Sequence, residues 1–210
     1  MHRGNGTGRR GRGRVRIISG SAKGTRLRSL PDPQLRPMLD RVKEALFNIL
    51  QFVLADARIL DLFSGTGSLG LEALSREAQC CVFVESNPGL ARLIRQNAAK
   101  CHLEERCRIV EDDVLRLPRR RPPTTCSPAD IALVDPPYAM IDDPNEREGL
   151  FTTLHQLRDS WIDTAGLIVL HHRPMPYAVW PSEALVETDQ RIYGESQLTF
   201  LEWRSEPDGG

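Results

Sequence analysis

Two hydrophobic periods alternate along most of this chain. "RILDLF", "CCVFVE", "RIVED", "DIALVD" and "GLIVLHH" are compact apolar runs of strand length. Between them, "GSLGLEALSRE", "PGLARLIRQNAAK" and a segment within Glu146 to Ser160 repeat their apolar positions every three or four residues, as helices do. Such alternation predicts a parallel sheet with helices on both faces, because parallel strands need crossovers and bury both sides. "ALVETDQRIYG" and "SQLTFLEW" depart from that rhythm and predict two strands joined by a tight turn. The class is therefore α/β and Rossmann-like, a mostly parallel sheet ending in a C-terminal antiparallel hairpin.

A different pattern precedes the sheet. "VRIISGSAKGTRLRSL" predicts a basic hairpin around Gly20 and Gly24. In "LRPMLDRVKEALFNILQFVL", Pro37 suits a first helical position, and Met38, Val42, Leu46, Ile49 and Val53 define a buried face. Arg36, Asp40, Arg41, Lys43 and Glu44 fall on the other face. The chain of 210 residues is long enough for one core. Its expected divisions are a disordered Gly/Arg-rich tail over 1–14, a small N-terminal β-hairpin/helix extension over 15–55, and the sheet domain over 56–205.

Charge changes the picture more than composition does. The formal net charge is zero, yet residues 1–43 hold 12 Lys+Arg against 2 Asp+Glu, and the remainder holds 16 against 26. A basic arm of this kind suits nucleic acid, since each neutralised phosphate releases counterions. Cys80, Cys81, Cys101, Cys107 and Cys126 form no CxxC pair, so they are read as buried thiols of a reducing cytosol, with no metal site. No apolar run is long enough to span a membrane. A soluble, cytoplasmic monomer is expected.

"DLFSGTGSLG" spaces Gly65, Gly67 and Gly70 as GxGxxG between a strand and a helix, and Glu85 closes the next strand. The spacing lets backbone approach a ligand, and the acid can accept from ribose hydroxyls, whether of NAD or of S-adenosylmethionine. Asp61 just before the loop would repel a pyrophosphate but suit an amino group. With Asp113, or Asp112 one residue away, beside an adenine amine, the acidic crevice favours a cationic sulfonium ligand. Phe63 in the same loop joins this set.

"DPPY" after the fourth strand holds Asp135, Pro136, Pro137 and Tyr138. Prolines cannot donate, so the predicted loop is stiff and rich in free acceptors. A nucleobase amine is a poor nucleophile because its lone pair is delocalised. If Asp135 and the Pro136 carbonyl accept its two hydrogens, the lone pair can turn toward an activated methyl while Tyr138 stacks on the base. His171 and His172 are read as a solvated strand end, since no general base is needed before the methyl transfers.

"RIISGSAKGTRL", "LRPMLDRVKEALFNIL", "LDLFSGTGSLGLEALSRE", "LVDPPY" and "YGESQLTFLEW" together resemble the RsmD-type family of bacterial 16S ribosomal RNA guanine-N2 methyltransferases, over about Arg16 to Trp203. The resemblance implies a class I S-adenosylmethionine-dependent methyltransferase fold. It implies S-adenosylmethionine as donor and, as acceptor, a guanine amine in 16S ribosomal RNA of the assembled or assembling small subunit. Arg16, Lys23, Arg26, Arg28, Arg36 and Arg41 would then contact RNA. Met38 stands where the family usually has threonine, and His171 where its fifth strand commonly ends in glutamate.

The rival readings are an adenine-N6 amino-methyltransferase acting on DNA or RNA, a methyltransferase acting on a protein glutamine, a non-catalytic RNA-binding protein of the same fold, and a dinucleotide oxidoreductase. The basic arm disfavours a protein target, the intact acids and "DPPY" disfavour the non-catalytic reading, and binding of NAD rather than S-adenosylmethionine would mark the oxidoreductase. Deleting residues 1–14 is expected to weaken RNA binding and flatten its salt dependence; titrations at several salt concentrations check this, and an unchanged slope would refute it.

Overall fold

The computed structural model describes residues 15–30, 38–175 and 184–204. The tail over 1–14, Arg36 and Pro37 lie outside the described residues. Seven strands form one sheet: β1 (Arg58–Leu62), β2 (Cys80–Val84), β3 (Cys107–Val110), β4 (Ala129–Val134), β5 (Ile162–His172), β6 (Leu185–Tyr193) and β7 (Ser196–Trp203). Their order is β3-β2-β1-β4-β5-β7-β6. The first five are parallel, while β7 runs antiparallel to both β5 and β6. A bulge between Glu187 and Asp189 interrupts the β6–β7 ladder.

Helices α1 (Asp40–Ile49), α2 (Ser68–Ser75), α3 (Pro88–Cys101), α4 (Tyr138–Asp142) and α5 (Pro144–Gln156) fill the connections. Asn87 caps α3 by accepting from Gly89 and Leu90, and Asp143 caps α5 by accepting from Asn145 and Glu146. Both helices then open on proline, whose missing N–H is no loss there.

Strand pleating divides the core in two. Ile59, Cys81, Phe83, Ile131, Leu133 and Val169 pack with α1, α2 and the N-terminal hairpin. Leu60, Val82, Val84, Ala132, Val134 and Leu170 pack with α5 and Trp161. Val15, Ile17, Ala22 and Leu27 belong to the first of these clusters, so the hairpin is part of the main core. It is bridged only at Arg16 and Arg26, with Leu27 N–H donating to the Val15 carbonyl at 2.9 Å.

What holds the hairpin down is α2. Gly20 sits so close that an added Cβ would lie 1.7 Å from the Ser75 carbonyl oxygen, at φ +80°, a conformation and an approach open to glycine alone. The Glu72 carboxylate, fully buried, accepts from Ile18 N–H at 2.7 Å, Ser19 N–H at 3.0 Å and Arg76 Nε at 2.9 Å. Lys43 Nζ lies 3.5 Å from it and donates to the Arg16 carbonyl and to Ser68 Oγ.

Lys43 is not on the solvent face of α1 but 1% exposed, because a buried acid awaits it. Burial lowers its pKa, against the pull of Glu72 and Asp40. Ile49 and Val53 are exposed, and Phe47 and Leu50 take their place in the core. Described helix begins only at Asp40. Cys80 and Cys126 are bonded to each other, their Cα atoms 6.1 Å apart where the loop before β4 passes the start of β2; only Cys81, Cys101 and Cys107 are buried thiols.

Replacing Glu72 strands a buried ammonium and two backbone donors. Glu72→Leu is expected to lower the unfolding free energy by roughly 3–5 kcal/mol, the usual cost of breaking a buried pair from one side. Urea denaturation checks this, and a loss under about 1 kcal/mol, typical of an exposed pair, would contradict it.

Candidate functional site

The strand order reverses direction between β1 and β4, which is where open α/β sheets leave a crevice at their carboxyl ends. A cleft of about 720 Å³ opens there. One wall comes from the glycine loop and the end of β2, the opposite wall from the residues after β4, and Val15, Ser29, Leu30 and Met38 of the N-terminal segment close a side.

Asp61 shares its face of β1 with Ile59 and is 1% exposed. It accepts from Gly70 N–H at 2.9 Å. Burial pushes its pKa up to about 8 against the pull of that N–H, and the Asp135 and Glu85 carboxylates add to the rise. Gly70 itself admits no side chain, since a Cβ would lie 2.4 Å from the Phe83 ring and 2.6 Å from Cys81 Sγ. Ser64 Oγ donates to the Asp61 carbonyl at 2.6 Å and steadies the turn. The Glu85 carboxylate accepts from Gly65 N–H and Asn87 N–H, each at 2.8 Å, which fixes it over the loop. The loop is also held from behind, where buried Asn97 donates to the Thr66 carbonyl and pairs with both backbone groups of Arg28.

The two candidate acids after β3 differ in what they have left to offer. Asp112 accepts from Asp113 N–H with one oxygen and from Arg120 with the other. Asp113 accepts from Leu115 N–H through Oδ1 and keeps Oδ2 without a partner among the described residues.

Across the cleft, Asp135 is half-buried and its Oδ1 lies 2.7 Å from His171 Nδ1. Pro136 is buried, and no donor reaches its carbonyl among the described residues. "DPPY" is less of a free loop than expected, for Tyr138 starts α4 and the Pro137 carbonyl accepts from Met140 N–H at 3.0 Å. The Arg173 guanidinium lies 4.7 Å over the Tyr138 ring. His171 and His172 are buried, not solvated. His171 packs against Asp135 and the Tyr138 ring, and His172 against Thr199 and the Arg173 backbone. Both His172 nitrogens are engaged, by the Arg173 carbonyl and Thr199 Oγ1, and burial lowers its pKa to about 4.

Asp61, Phe63, Gly65, Glu85, Asp113, Asp135, Pro136, Pro137 and Tyr138 all line this one cleft, whereas Gly67 lies beneath it as the residue before α2. Lys23, Arg26 and Arg28 are exposed on the hairpin and Arg41 on α1; Arg16 is paired with Asp40 at 3.0 Å. Lys43, Glu72, Asn97, His171 and Arg173 contribute without having been singled out for it from sequence. Arg173 is the one cation lining the cleft among the described residues, against five carboxylates, Asp61, Glu85, Asp112, Asp113 and Asp135. Such a set of acceptors fits a cationic ligand with free hydroxyls and repels a pyrophosphate. Among the described residues no cluster of acids, histidines and cysteines could hold a metal, and no helix is long and apolar enough to cross a membrane.

Residues 15–202 match the family model described as Conserved hypothetical protein 95. The ribosomal RNA small subunit methyltransferase D of Escherichia coli K12 is 36% identical over 160 residues, 75% of this chain and 74% of that one. The protein of the same name from Haemophilus influenzae is 39% identical over 131 residues, 60% of this chain and 65% of that one. A solved Escherichia coli structure described as a candidate methyltransferase, yhhF, superposes with a TM-score of 0.77 at 27% identity, covering 92% of this chain and all of that one.

The buried carboxyl of Asp61 makes stability depend on pH. Its pKa, about 8 against an ordinary 3.8, means the folded state keeps a proton that the unfolded state releases. That contribution is full below about pH 4 and is lost as pH rises through about 8. Asp61→Asn is expected to remove this fall; urea denaturation of ligand-free protein across the same window checks it, and parallel curves for the two proteins would disprove it.

Proposed function

We propose a ribosomal RNA methyl transfer for this chain, which belongs to the Conserved hypothetical protein 95 family, that of the ribosomal RNA small subunit methyltransferases D. The donor is S-adenosylmethionine and the acceptor is the exocyclic N2 amine of a guanine in 16S ribosomal RNA. One observation carries the reading: Asp135-Pro136-Pro137-Tyr138 faces the acidic crevice of Asp61 and Glu85 within a single cleft.

When bound, S-adenosylmethionine supplies an electrophilic methyl group on a sulfonium. Asp61 would meet the amino group of its methionine part, and there the desolvated carboxyl would give up its proton in favour of a cation. Glu85, already held by two backbone donors, keeps lone pairs for ribose hydroxyls. Asp113 is the better partner for an adenine amine than Asp112, because its Oδ2 has no other partner among the described residues, whereas both Asp112 oxygens are engaged and one of them is held by the Arg120 cation. Gly65 and Phe63 bring the loop against the ligand, while Gly67 supports it from below. None of these contacts requires a metal.

On the acceptor side, Asp135 and the Pro136 carbonyl would each accept one hydrogen of the amine. This leaves its lone pair directed at the methyl, and Pro137 stiffens the turn that presents both groups. Tyr138 would stack on the base with the ring face that Arg173 leaves open. The catalytic gain is positional and electrostatic. Lys23, Arg26, Arg28 and Arg41, exposed on the hairpin and α1, would neutralise RNA phosphates together with Arg16 and Arg36, while Ser29 and Leu30 carry the hairpin's chain to the cleft wall. Such an RNA-facing surface favours ribosomal RNA over a protein target.

Asp135→Ala is expected to lower methyl transfer to RNA by at least about 100-fold while S-adenosylmethionine still binds, as measured with tritiated methyl donor and by calorimetry. Mass-spectrometric mapping of 16S ribosomal RNA from cells lacking the protein should show one N2-methylguanine missing; an unaltered map would overturn the substrate.

A further inference from the structure

We propose that His171 is a positioning residue of the transfer site, which fixes the Asp135 carboxylate so that a single oxygen, Oδ2, faces the incoming amine. The inference rests on the reading of Asp135 as the amine acceptor.

β4 and β5 are parallel with Val134 opposite Leu170, so the next residues, Asp135 and His171, come level at the carboxyl edge. His171 is 3% exposed, and its Nδ1 lies 2.7 Å from Asp135 Oδ1. Its Nε2 is buried with no hydrogen-bond partner among the described residues. His172 has partners on both nitrogens, as a structural ring normally does. The polar contact of His171 with Asp135 is therefore the one its position supplies.

Chemistry then assigns the proton. An ionised carboxylate only accepts, so the hydrogen between the two lies on Nδ1, and His171 donates it. The other tautomer would bury an N–H with nothing to receive it. A charge-assisted bond of this kind engages Asp135 Oδ1 and so holds a side chain whose terminal torsion is otherwise broad, leaving Oδ2 as the oxygen without a partner among the described residues. The ring also packs against Tyr138, with centroids 5.9 Å apart and planes tilted by 60°. One buried imidazole thus steadies both the acceptor and the stacking residue of "DPPY".

Two substitutions separate these contacts. His171→Phe keeps a ring beside Tyr138 without a donor, and His171→Asn keeps a donor near the place of Nδ1 without the ring. In the full-length protein, kcat of the Phe variant is expected to fall roughly 10- to 100-fold, the scale of a misaligned group. Its KM for RNA and its affinity for S-adenosylmethionine should stay within a few-fold, and the Asn variant should recover most of kcat. Wild-type kcat in the Phe variant would overturn the proposal, as would equal losses in both variants accompanied by equal losses of thermal stability. Should both variants fold poorly, imidazole proton–nitrogen spectra of the unaltered protein decide. An Nδ1–H signal of His171 that is displaced in Asp135→Ala supports the pairing, and its absence from the unaltered protein refutes it. Those spectra need no RNA, so they stand or fall apart from the guanine assignment, which the ribosomal RNA map tests by itself.

Discussion

The carboxylate of Glu72 is the constraint on which the arrangement turns. It is a buried charge in a helix whose other residues are apolar or small, and burial of an unpaired acid there would be prohibitive. Its oxygens instead take two backbone donors from the hairpin, the Arg76 guanidinium and the nearby Lys43 ammonium. Two segments distant in sequence, the hairpin and α1, are pinned to α2 by that requirement. Lys43 then reaches Ser68, the first residue of α2 after the glycine loop, and Asn97 of α3 joins the same loop to Arg28. The N-terminal segment is therefore anchored by the polar groups that shape the cleft, and its far end, Ser29 and Leu30, becomes part of the cleft wall.

Electrostatics gives the cleft its selectivity. Pleating sets Asp61 on the α2 face of the sheet, and Glu85 and Asp135 follow directly after strands that keep register with β1. Burial makes the Asp61 carboxyl costly to ionise, and the Asp135 and Glu85 carboxylates nearby add to that cost. A positively charged occupant relieves that cost, and an anionic one would add to it. The opposite wall works by geometry instead, through proline, a partnerless carbonyl and a carboxylate whose direction is set from behind.

What was legible in the sequence is what repeats or lies close together. The strand and helix periods, the glycine spacing and "DPPY" each span a few residues, and all the strands were found. The missing parts depend on distant partners: Glu72 and Ile18 are 54 residues apart, Asn97 and Arg28 are 69, and Asp135 and His171 are 36. Lys43 fits a solvent-facing helical position equally well until its acid is known. One signal was available, since Glu72 is the lone charge in "SLGLEALS", a helix too apolar to be half-exposed. The Cys80–Cys126 bond has no such local sign, because its loop reaches β2 only through the crossover to β4.

The antiparallel pair that closes the sheet has a consequence for how the protein behaves in a crowd. A parallel sheet ending at β5 would offer eleven residues of strand, largely apolar, to any passing chain. Here β7 covers that strand, and the outermost position falls to β6, which is bulged at Glu187–Asp189 and carries Glu187, Asp189 and Arg191. The other border, β3, is only four residues long. Both margins are thus poor templates for strand addition, so a buried, β-branched interior is kept out of reach of aggregation.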